Sequence, residues 1–241
     1  MDYGLQLYSI RDIAEKNLEE AVFSAARLGY KSVEFAGFFG RTADEINDML
    51  SRSGLRLSGT HSSFNDLADK YEETVAFHKA IGNRNYIIPG YDLSSQEKLD
   101  GFVESANALK KRLEADGIKL SYHNHAHEFI PNADGSVIFE QLLYRTELTF
   151  EVDTYWAFVG MHNPIMLLDR VKDRLEFIHI KDGTADGRGY PLGKGCAPLE
   201  EIYGYALNNG IPLIVESETC EPDGITEAEI CINYLKKLEN R

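Results

Sequence analysis

Cysteine, positive charge and long apolar runs are all scarce in this sequence of 241 residues. Its three cysteines, Cys196, Cys220 and Cys231, are too few and too scattered for a disulfide framework, and they lack zinc-finger spacing. No basic leader segment opens the chain, and no apolar run approaches the roughly 20 residues that a helix needs to cross a bilayer. We therefore expect a cytoplasmic protein with no membrane partner.

The shortage of positive charge also bears on nucleic acids. The sequence has 25 Lys and Arg against 39 Asp and Glu, which gives a formal net charge of −14. Such a charge repels phosphate backbones, and no local basic patch offsets it. Hydrophobic residues make up 43% of the chain, which is enough to bury a large core. The composition predicts a folded protein whose partner is not a nucleic acid.

Short apolar strands alternate with amphipathic helices along the whole chain. Strands are expected near residues 3–8, 31–36, 55–61, 86–90, 118–123, 148–153, 175–182 and 211–216. Helices are expected near residues 13–28, 42–54, 70–81, 94–117, 136–144, 164–171, 198–208 and 226–238. Eight such units predict parallel strands with helical crossovers, closed into a single α/β domain, a (β/α)8 TIM barrel over residues 1–241. An open doubly wound sheet is the alternative, although no Gly-x-Gly-x-x-Gly follows the first strand.

Polar side chains stand at the ends of several of these apolar strands. In a barrel the C-terminal strand ends meet at one face, so residues distant in sequence become neighbours. The strand-end residues are Gln6, Tyr8, Glu34, His61, His123, His125, Asp153, His179, Lys181, Glu216 and Glu218. We interpret them as one shared polar site, and we expect Gln6, Glu34 and His61 to bind substrate.

The densest ligand chemistry lies in residues 120–129, which hold three histidines and a glutamate. Alternate strand residues face opposite ways, so His123 and His125 share one face, while His127 and Glu128 fall in the following loop. A chance cluster in a polar loop explains an isolated His-x-His equally well. The polar ends of the neighbouring strands favour a functional site.

Asp153, His179 and Glu216 form a mixed nitrogen and oxygen set that suits a borderline divalent ion such as Mn²⁺, Zn²⁺, Co²⁺ or Fe²⁺. Each residue also has an ordinary structural explanation: a helix N-cap for Asp153, a satisfied core imidazole for His179 and a salt bridge for Glu216. Without a cation, however, the two carboxylates would repel each other. A metal site explains the three residues together.

Two further features concern the substrate. Trp156 can lay an aromatic face along a substrate ring, although aromatic residues near a barrel mouth are as often packing residues. The loop 183–195 contains five glycines with Arg188 and Lys194, and barrel loops at this position often hold phosphate. A simple flexible loop is the alternative, since no glycine nest opens a helix there.

Together these segments resemble the xylose isomerase-like barrels, a family that includes sugar isomerases and epimerases, inosose dehydratase and family 2 apurinic endonucleases. The resemblance covers nearly the full length and depends on the order and spacing of residues 4–9, 122–125, 152–154, 179–182, 191–195 and 214–216. It implies a small carbohydrate substrate and one divalent metal held by strands five to eight, with Asp153, His179 and Glu216 as three of the ligands. Relatives are commonly dimers or tetramers, which implies a homodimer or homotetramer here.

The fifth strand departs from the family pattern, because epimerase-like relatives usually place a glutamate where His123 stands. His123 can still be the fourth metal ligand, with His125 or Glu128 as the competing assignment. Loss of that glutamate puts two-carboxylate epimerisation in doubt, and His125 or Glu128 could supply the missing acid or base. A one-base isomerisation or an elimination needs fewer carboxylates.

The endonuclease branch of the family requires extra metal ligands that this sequence lacks. Ile88 stands where that branch has a ligand histidine, Trp156 stands where another is expected, and the loop 186–190 lacks the Asp-x-His pair. With the negative net charge added, phosphodiester cleavage is not expected.

The sequence therefore predicts a metal-dependent sugar or sugar phosphate isomerase or epimerase, which moves a proton beside a metal-polarised carbonyl. We expect Mn²⁺, Zn²⁺ or Co²⁺ as the cofactor. The expected reacting residues are Glu216, His123, His125 and Lys181, and further expected substrate contacts are Glu128, Trp156 and Arg188. A lyase acting on an inosose or a 3-keto sugar is the second hypothesis, and a non-catalytic sugar-binding barrel is the third.

Overall fold

The computed structural model describes residues 1–240, across which eight parallel strands close into a barrel. The barrel strands are β1 (Tyr3–Gln6), β2 (Ser32–Phe35), β3 (Arg56–His61), β4 (Asn85–Ile88), β5 (Lys119–His123), β6 (Thr149–Asp153), β7 (Leu175–Ile180) and β10 (Leu213–Val215). Strand β1 pairs with both β2 and β10, which closes the sheet. Two short strands after β7, β8 (Asp182–Gly183) and β9 (Gly189–Tyr190), form an antiparallel ribbon. The predicted TIM barrel is confirmed.

Helices connect successive strands around the barrel. They are α1 (Arg11–Ala14), α2 (Leu18–Leu28), α3 (Ala43–Ser53), α4 (Phe64–Asp69), α5 (Tyr71–Ala80), α6 (Gln96–Ala115), α7 (Ile138–Arg145), α8 (Thr154–Val159), α9 (Pro164–Val171), α10 (Leu199–Asn209) and α11 (Gly224–Glu239). Short 3-10 turns cover Leu7–Ile10, His127–Phe129 and Lys172–Arg174. In the part of the chain that the structure describes, no helix is long and apolar enough to span a membrane.

Capping residues set the ends of the helices that the sequence predicts best. Helix α3 begins at a capping box, in which the Thr42 hydroxyl accepts from the Glu45 amide and the Glu45 carboxylate accepts from the Thr42 amide. It ends at Gly54, whose φ of 71° is left-handed. Gly29 ends α2 in the same way, with a φ of 100°.

Polar caps also explain where the predicted helices differ from the observed ones. The segment predicted as one helix near residues 13–28 is divided, because the Asn17 side chain accepts from the Glu20 amide at 3.2 Å and starts α2. The segment near residues 70–81 is preceded by the extra helix α4, which Ser63 caps by accepting from the Asp66 amide at 3.2 Å. A single capping side chain outweighs the hydrophobic periodicity on which the predictions depended.

Apolar side chains from strands and helices form one continuous core, but charged and imidazole groups are buried inside it. They stand on the barrel strands or directly after them: Gln6, Glu34, His123, Glu151, Asp153, His179, Lys181 and Glu216. A buried polar group without a partner costs about 1–3 kcal/mol, and a charged one costs more. This polar interior therefore needs compensating contacts, which identify the candidate site.

Candidate metal centre

Four strands bring two histidines and two carboxylates together at the C-terminal end of the barrel. His123 ends β5, Asp153 ends β6, His179 lies opposite Asp153 on β7, and Glu216 directly follows β10. One ligand atom of each lies within 4.8 Å of the others, and Glu216, with 6% of its surface exposed, is the most accessible of the four. These four residues, termed the metal-centre group, are the set that the sequence predicts as ligands.

The spacing inside the metal-centre group suits an ion better than direct hydrogen bonds. Nε2 of His123 lies 3.7 Å from Oδ2 of Asp153 and 4.0 Å from Oε2 of Glu216, while Nδ1 of His179 lies 3.2 Å from the same Glu216 oxygen. Within residues 1–240, neither ring nitrogen of His123 nor Oδ2 of Asp153 has a hydrogen-bond partner. Buried ligand atoms aimed at each other without a bond fit a divalent cation.

Asp153 divides its two carboxylate oxygens between a helix and the metal-centre group. Oδ1 accepts from the Trp156 amide at 2.7 Å and caps α8, which leaves Oδ2 facing His123. The Asn124 side chain bonds both the amide and the carbonyl of Asp153, at 3.1 and 3.0 Å, and so fixes β5 against β6. The N-cap explanation of Asp153 is therefore correct and compatible with a ligand role, whereas the clamp by Asn124 was not predicted.

Lys181 supplies a buried positive charge beside the metal-centre group. Its Nζ lies 2.8 Å from Oε2 of Glu216 and 3.4 Å from Oδ2 of Asp153, and it also contacts Glu218. Burial alone would raise the pKa of Glu216, but Lys181 and His179 hold the pKa of that carboxyl well below its usual range. Asp153 follows the same pattern, with its pKa lowered mainly by Lys181 against the effect of burial. Both carboxylates are therefore ionised and ready to bind a cation.

The histidines of the site differ in charge. Burial lowers the pKa of His123, so its imidazole is neutral. Burial also opposes protonation of His179, but the carboxylates Glu151, Glu216 and Glu34 raise its pKa well above the usual value. Burial, followed by repulsion from His123, lowers the pKa of His125 to about 3. At neutral pH the His125 imidazole is therefore uncharged and does not carry a proton to donate as an imidazolium.

A second set of side chains, termed the inner ring, consists of Glu34, His61, Glu151 and His179. Nε2 of His61 lies 2.7 Å from Oε2 of Glu151, and Nε2 of His179 lies 2.9 Å from Oε1 of Glu34. Burial and then repulsion by Glu151 raise the pKa of Glu34 to about 7, while His179 and His61 overcome the effect of burial and lower the pKa of Glu151. Three of these residues, His61, Glu151 and His179, also form a potential metal-binding group together with His123. One ligand atom of each of the four lies within 4.8 Å of the others.

Gln6 and Glu34 are fully buried, which does not fit their predicted role in substrate binding. The Gln6 amide donates to Oε1 of Glu34 at 2.8 Å, so the two side chains bind each other inside the barrel. Glu151 was not predicted at all. Its signal was its position two residues before Asp153 on β6, which places both side chains on the same face of the strand.

A cavity of about 570 Å³ lies against the β2 and β3 ends of the barrel, and His61 is its contact with the inner ring. Its other walls include Phe38, Ser62, Ser63 and Tyr86. His61 is thus the member of the predicted substrate set that lines this cavity.

On the other side of the metal-centre group, the Trp156 ring lies 5.1 Å from Nζ of Lys181 and 6.1 Å from the His125 ring. Trp156 and His125 therefore both border the site, as predicted.

Glu128 and Arg188 lie outside the metal-centre group and the inner ring. Glu128 is buried, and its carboxylate accepts from the Tyr122 hydroxyl at 3.0 Å and from the His125 amide at 2.8 Å, which fixes the loop after β5. Arg188 is exposed, and its guanidinium lies 5.1 Å from the centre of the Tyr190 ring. Glu128 is a loop-holding residue, so the alternative that made it the fourth ligand is not supported.

The glycine-rich loop 183–195 already binds an anion, which is the side chain of Asp182. Oδ1 accepts from the amides of Gly183 and Ala197 at 2.8 and 3.0 Å, and Oδ2 accepts from those of Gly193 and Gly195, both at 2.9 Å. Amides that hold this carboxylate are not available to a substrate phosphate. The backbone amides of the loop therefore give no support to the phosphate-loop interpretation, because the Asp182 carboxylate already occupies them.

Comparison with known proteins agrees with this architecture. A family model described as the xylose isomerase-like TIM barrel matches residues 22–238. An inosose dehydratase of Clostridium beijerinckii is 24% identical over an alignment that covers 85% of this chain and 83% of that protein. A sugar phosphate isomerase/epimerase from Parabacteroides distasonis superposes with a TM-score of 0.83 at 23% identity, covering 98% of this chain and 93% of the other. A D-allulose 3-epimerase from Methylomonas sp. superposes with a TM-score of 0.72 at 16% identity, covering 99% of this chain and 98% of the other.

Metal binding at the metal-centre group should release about one proton per ion at neutral pH. His179 carries the proton, because its pKa is raised, whereas His123 is neutral and both carboxylates are ionised. As pH falls below the raised pKa of His179, affinity should fall about tenfold per unit. Calorimetric titration with Zn²⁺ in buffers of different ionisation enthalpy measures the released proton directly.

The test variant is the double replacement Asp153→Ala with His179→Ala. The matched control is His162→Gln, because His162 bonds the Gly160 carbonyl outside the site. The double variant should lose the ion and the control should keep it. Stoichiometric ion in the double variant would mean that the site lies elsewhere.

Proposed function

Since the chain belongs to the xylose isomerase-like TIM barrel family, we propose that it is a divalent-metal-dependent enzyme that moves a proton beside the carbonyl of a small sugar. The observation that carries the proposal is the metal-centre group. The buried, unpartnered ligand atoms of its His123 and Asp153 stand near a neutral histidine, His125, and a protonated lysine, Lys181. A metal site with an adjacent base and an adjacent cation is what proton transfer at carbon requires.

The proposed ligands are His123, Asp153, His179 and Glu216, and they present two neutral nitrogens and two anionic oxygens. A bound divalent ion would supply Lewis-acid polarisation of the sugar carbonyl and its neighbouring hydroxyl. The chain offers this ion a position that is shielded from water, because none of the four residues is more than 6% exposed. Shielding strengthens every electrostatic contact in the site.

His125 and Glu216 are the proposed proton-moving groups. Nδ1 of His125 is buried without a partner in the described residues, so this nitrogen is open to a hydrogen of the substrate. Glu216 is the second of these groups, and Lys181 holds its Oε2 in place at 2.8 Å. The Lys181 ammonium also places positive charge where an enolate oxygen would develop negative charge.

The fate of the abstracted proton decides between two reaction classes. Return of the proton to the neighbouring carbon, or to the opposite face of the same carbon, gives an isomerase or an epimerase, which is the leading proposal. Departure of a hydroxyl as water from the next carbon gives a lyase. The lyase is favoured by His123, which stands where a second catalytic glutamate would be needed, and by the inosose dehydratase names of the sequence relatives.

We further propose an unphosphorylated sugar that enters from the side of the cavity next to His61. The cavity volume of about 570 Å³ exceeds that of a monosaccharide, and Asp182 already occupies the amides of the glycine-rich loop. Trp156 can cover one face of the ring, since it lies beside Lys181 at the other border of the site.

A panel of sugars and keto sugars, incubated with Zn²⁺-, Mn²⁺- or Co²⁺-loaded protein in deuterium oxide, tests the proposed function by mass detection. Isomerisation or epimerisation adds solvent deuterium to carbon, whereas elimination lowers the mass by one water and creates an enone absorbance. Binding of a sugar without exchange or water loss would contradict an enzyme and favour a non-catalytic barrel.

Glu216→Gln should keep the fold but lower turnover by about 100-fold or more, because an amide is neither a base nor a strong ligand. The matched control is Glu227→Gln, a buried glutamate that accepts from the Cys220 amide at 2.9 Å outside the site. Turnover is measured at saturating metal, with circular dichroism as the check of folding. Activity within a factor of a few of the unmodified protein would remove Glu216 from the mechanism.

His123→Glu should shift metal preference towards harder ions, because it places a third carboxylate where a ring nitrogen lies 3.7 and 4.0 Å from those of Asp153 and Glu216. The ratio of Mg²⁺ to Zn²⁺ affinity, measured by competition titration, should rise, while His162→Glu should leave it unchanged. An unaltered ratio in His123→Glu would move the fourth ligand to His125.

A further inference from the structure

Two hydrogen bonds and two further close ion-pair contacts join the side chains of the inner ring into a closed square in the interior of the barrel. His61 Nε2 lies 2.7 Å from Oε2 of Glu151 and 3.2 Å from Oε1 of Glu34. His179 Nε2 lies 2.9 Å from the same oxygen of Glu34 and 3.1 Å from the same oxygen of Glu151. Two imidazole nitrogens and two carboxylate oxygens therefore alternate around the ring. Its glutamates are fully buried.

These distances indicate that the ring holds protons rather than a second metal ion. Donors placed tetrahedrally about 2.1 Å from an ion are separated by about 3.4 Å. The four ring distances run from 2.7 to 3.2 Å, which is the range of charge-assisted hydrogen bonds. In the metal-centre group, His123 lies 3.7 and 4.0 Å from the carboxylate oxygens of Asp153 and Glu216, while the contact of His179 with Glu216, at 3.2 Å, equals the longest in the ring.

His179 belongs to both sets and faces them with different nitrogens. Nδ1 lies 3.2 Å from Glu216 in the metal-centre group, while Nε2 faces Glu34 and Glu151 in the ring. A metal-bound neutral imidazole carries one N–H, and this must lie on the nitrogen that does not bind the ion. Two carboxylate oxygens around Nε2 determine which nitrogen that is.

We propose that Glu34 and Glu151 are positioning residues, which hold the His179 proton on Nε2 and thereby make Nδ1 the metal-binding nitrogen. The inference rests on the metal centre proposed above. Each glutamate has a further donor that restrains it, since the Gln6 amide donates to Glu34 at 2.8 Å and His61 bonds Glu151 at 2.7 Å. Gln6 and His61 therefore support the orientation of His179 indirectly.

The assignment also accounts for the charge of the ring. A carboxylate that accepts the N–H of a ligating histidine makes the other ring nitrogen a stronger electron donor. Oε2 of Glu34 and Oε1 of Glu151 have no hydrogen-bond partner among residues 1–240, so the hydrogen bonds of these two carboxylates are made by the oxygens that face His179. The ring thus directs its charge towards His179.

The test uses the Zn²⁺-loaded full chain with ¹⁵N-labelled histidine. Nitrogen–proton correlation spectra should show a histidine with metal on Nδ1 and a proton on Nε2. Glu151→Gln should shift that Nε2 proton resonance and weaken Zn²⁺ affinity about 10–100-fold, with Glu34→Gln acting in the same direction. Glu227→Gln, the buried glutamate outside both sets, should change neither.

Three results would overturn the inference. The first is a metal-bound His179 coordinated through Nε2 in the unmodified protein, which needs no variant to fold. The second is uptake of two Zn²⁺ ions per chain with one lost in Glu151→Gln, which would make the ring a second metal site. The third is Zn²⁺ affinity within twofold of the unmodified protein in both glutamate variants. A chain that binds no ion at all would instead contradict the proposed metal centre itself.

Discussion

Buried negative charge that must find a nearby counter-charge is the condition on which this barrel's interior depends. Glu34, Glu151, Asp153 and Glu216 are all almost entirely removed from water. Isolated carboxylates in such a position would be too costly to remain ionised. Lys181 and the two inner-ring histidines supply positive charge or protons, and a divalent ion at the metal-centre group would supply the rest. Site geometry and charge balance are thus two aspects of the same arrangement.

The parallel barrel provides this arrangement by stacking polar residues in layers. Side chains two positions apart on a strand point the same way, and they differ in depth by about 6.6 Å. On β6 this places Glu151 in the inner ring and Asp153 in the metal-centre group. His179 lies between the two layers and has one nitrogen for each. The inner layer is therefore well placed to act on the outer one.

Strand order and polar strand ends made the barrel and the metal-centre group predictable from sequence. Depth was not predictable, because a polar residue on a strand looks the same whether it faces a cavity or another buried side chain. Gln6 and Glu34 were assigned to substrate for this reason, and Glu151 was overlooked behind Asp153. For the loop 183–195, glycine content likewise does not show that the amides already bind Asp182. Whether such a group faces a substrate or another part of the protein depends on contacts between segments that are distant in sequence.

Asp153 joins helix α8 to the metal-centre group through one small side chain. One oxygen caps the amide of Trp156, and the other faces His123. An ion bound to one oxygen would withdraw electron density from the other and so weaken its hydrogen bond to the Trp156 amide. Metal binding would therefore be linked thermodynamically to the order of the first turn of α8. Trp156 is the single tryptophan of the sequence. Its fluorescence is consequently a built-in optical reporter that requires no label.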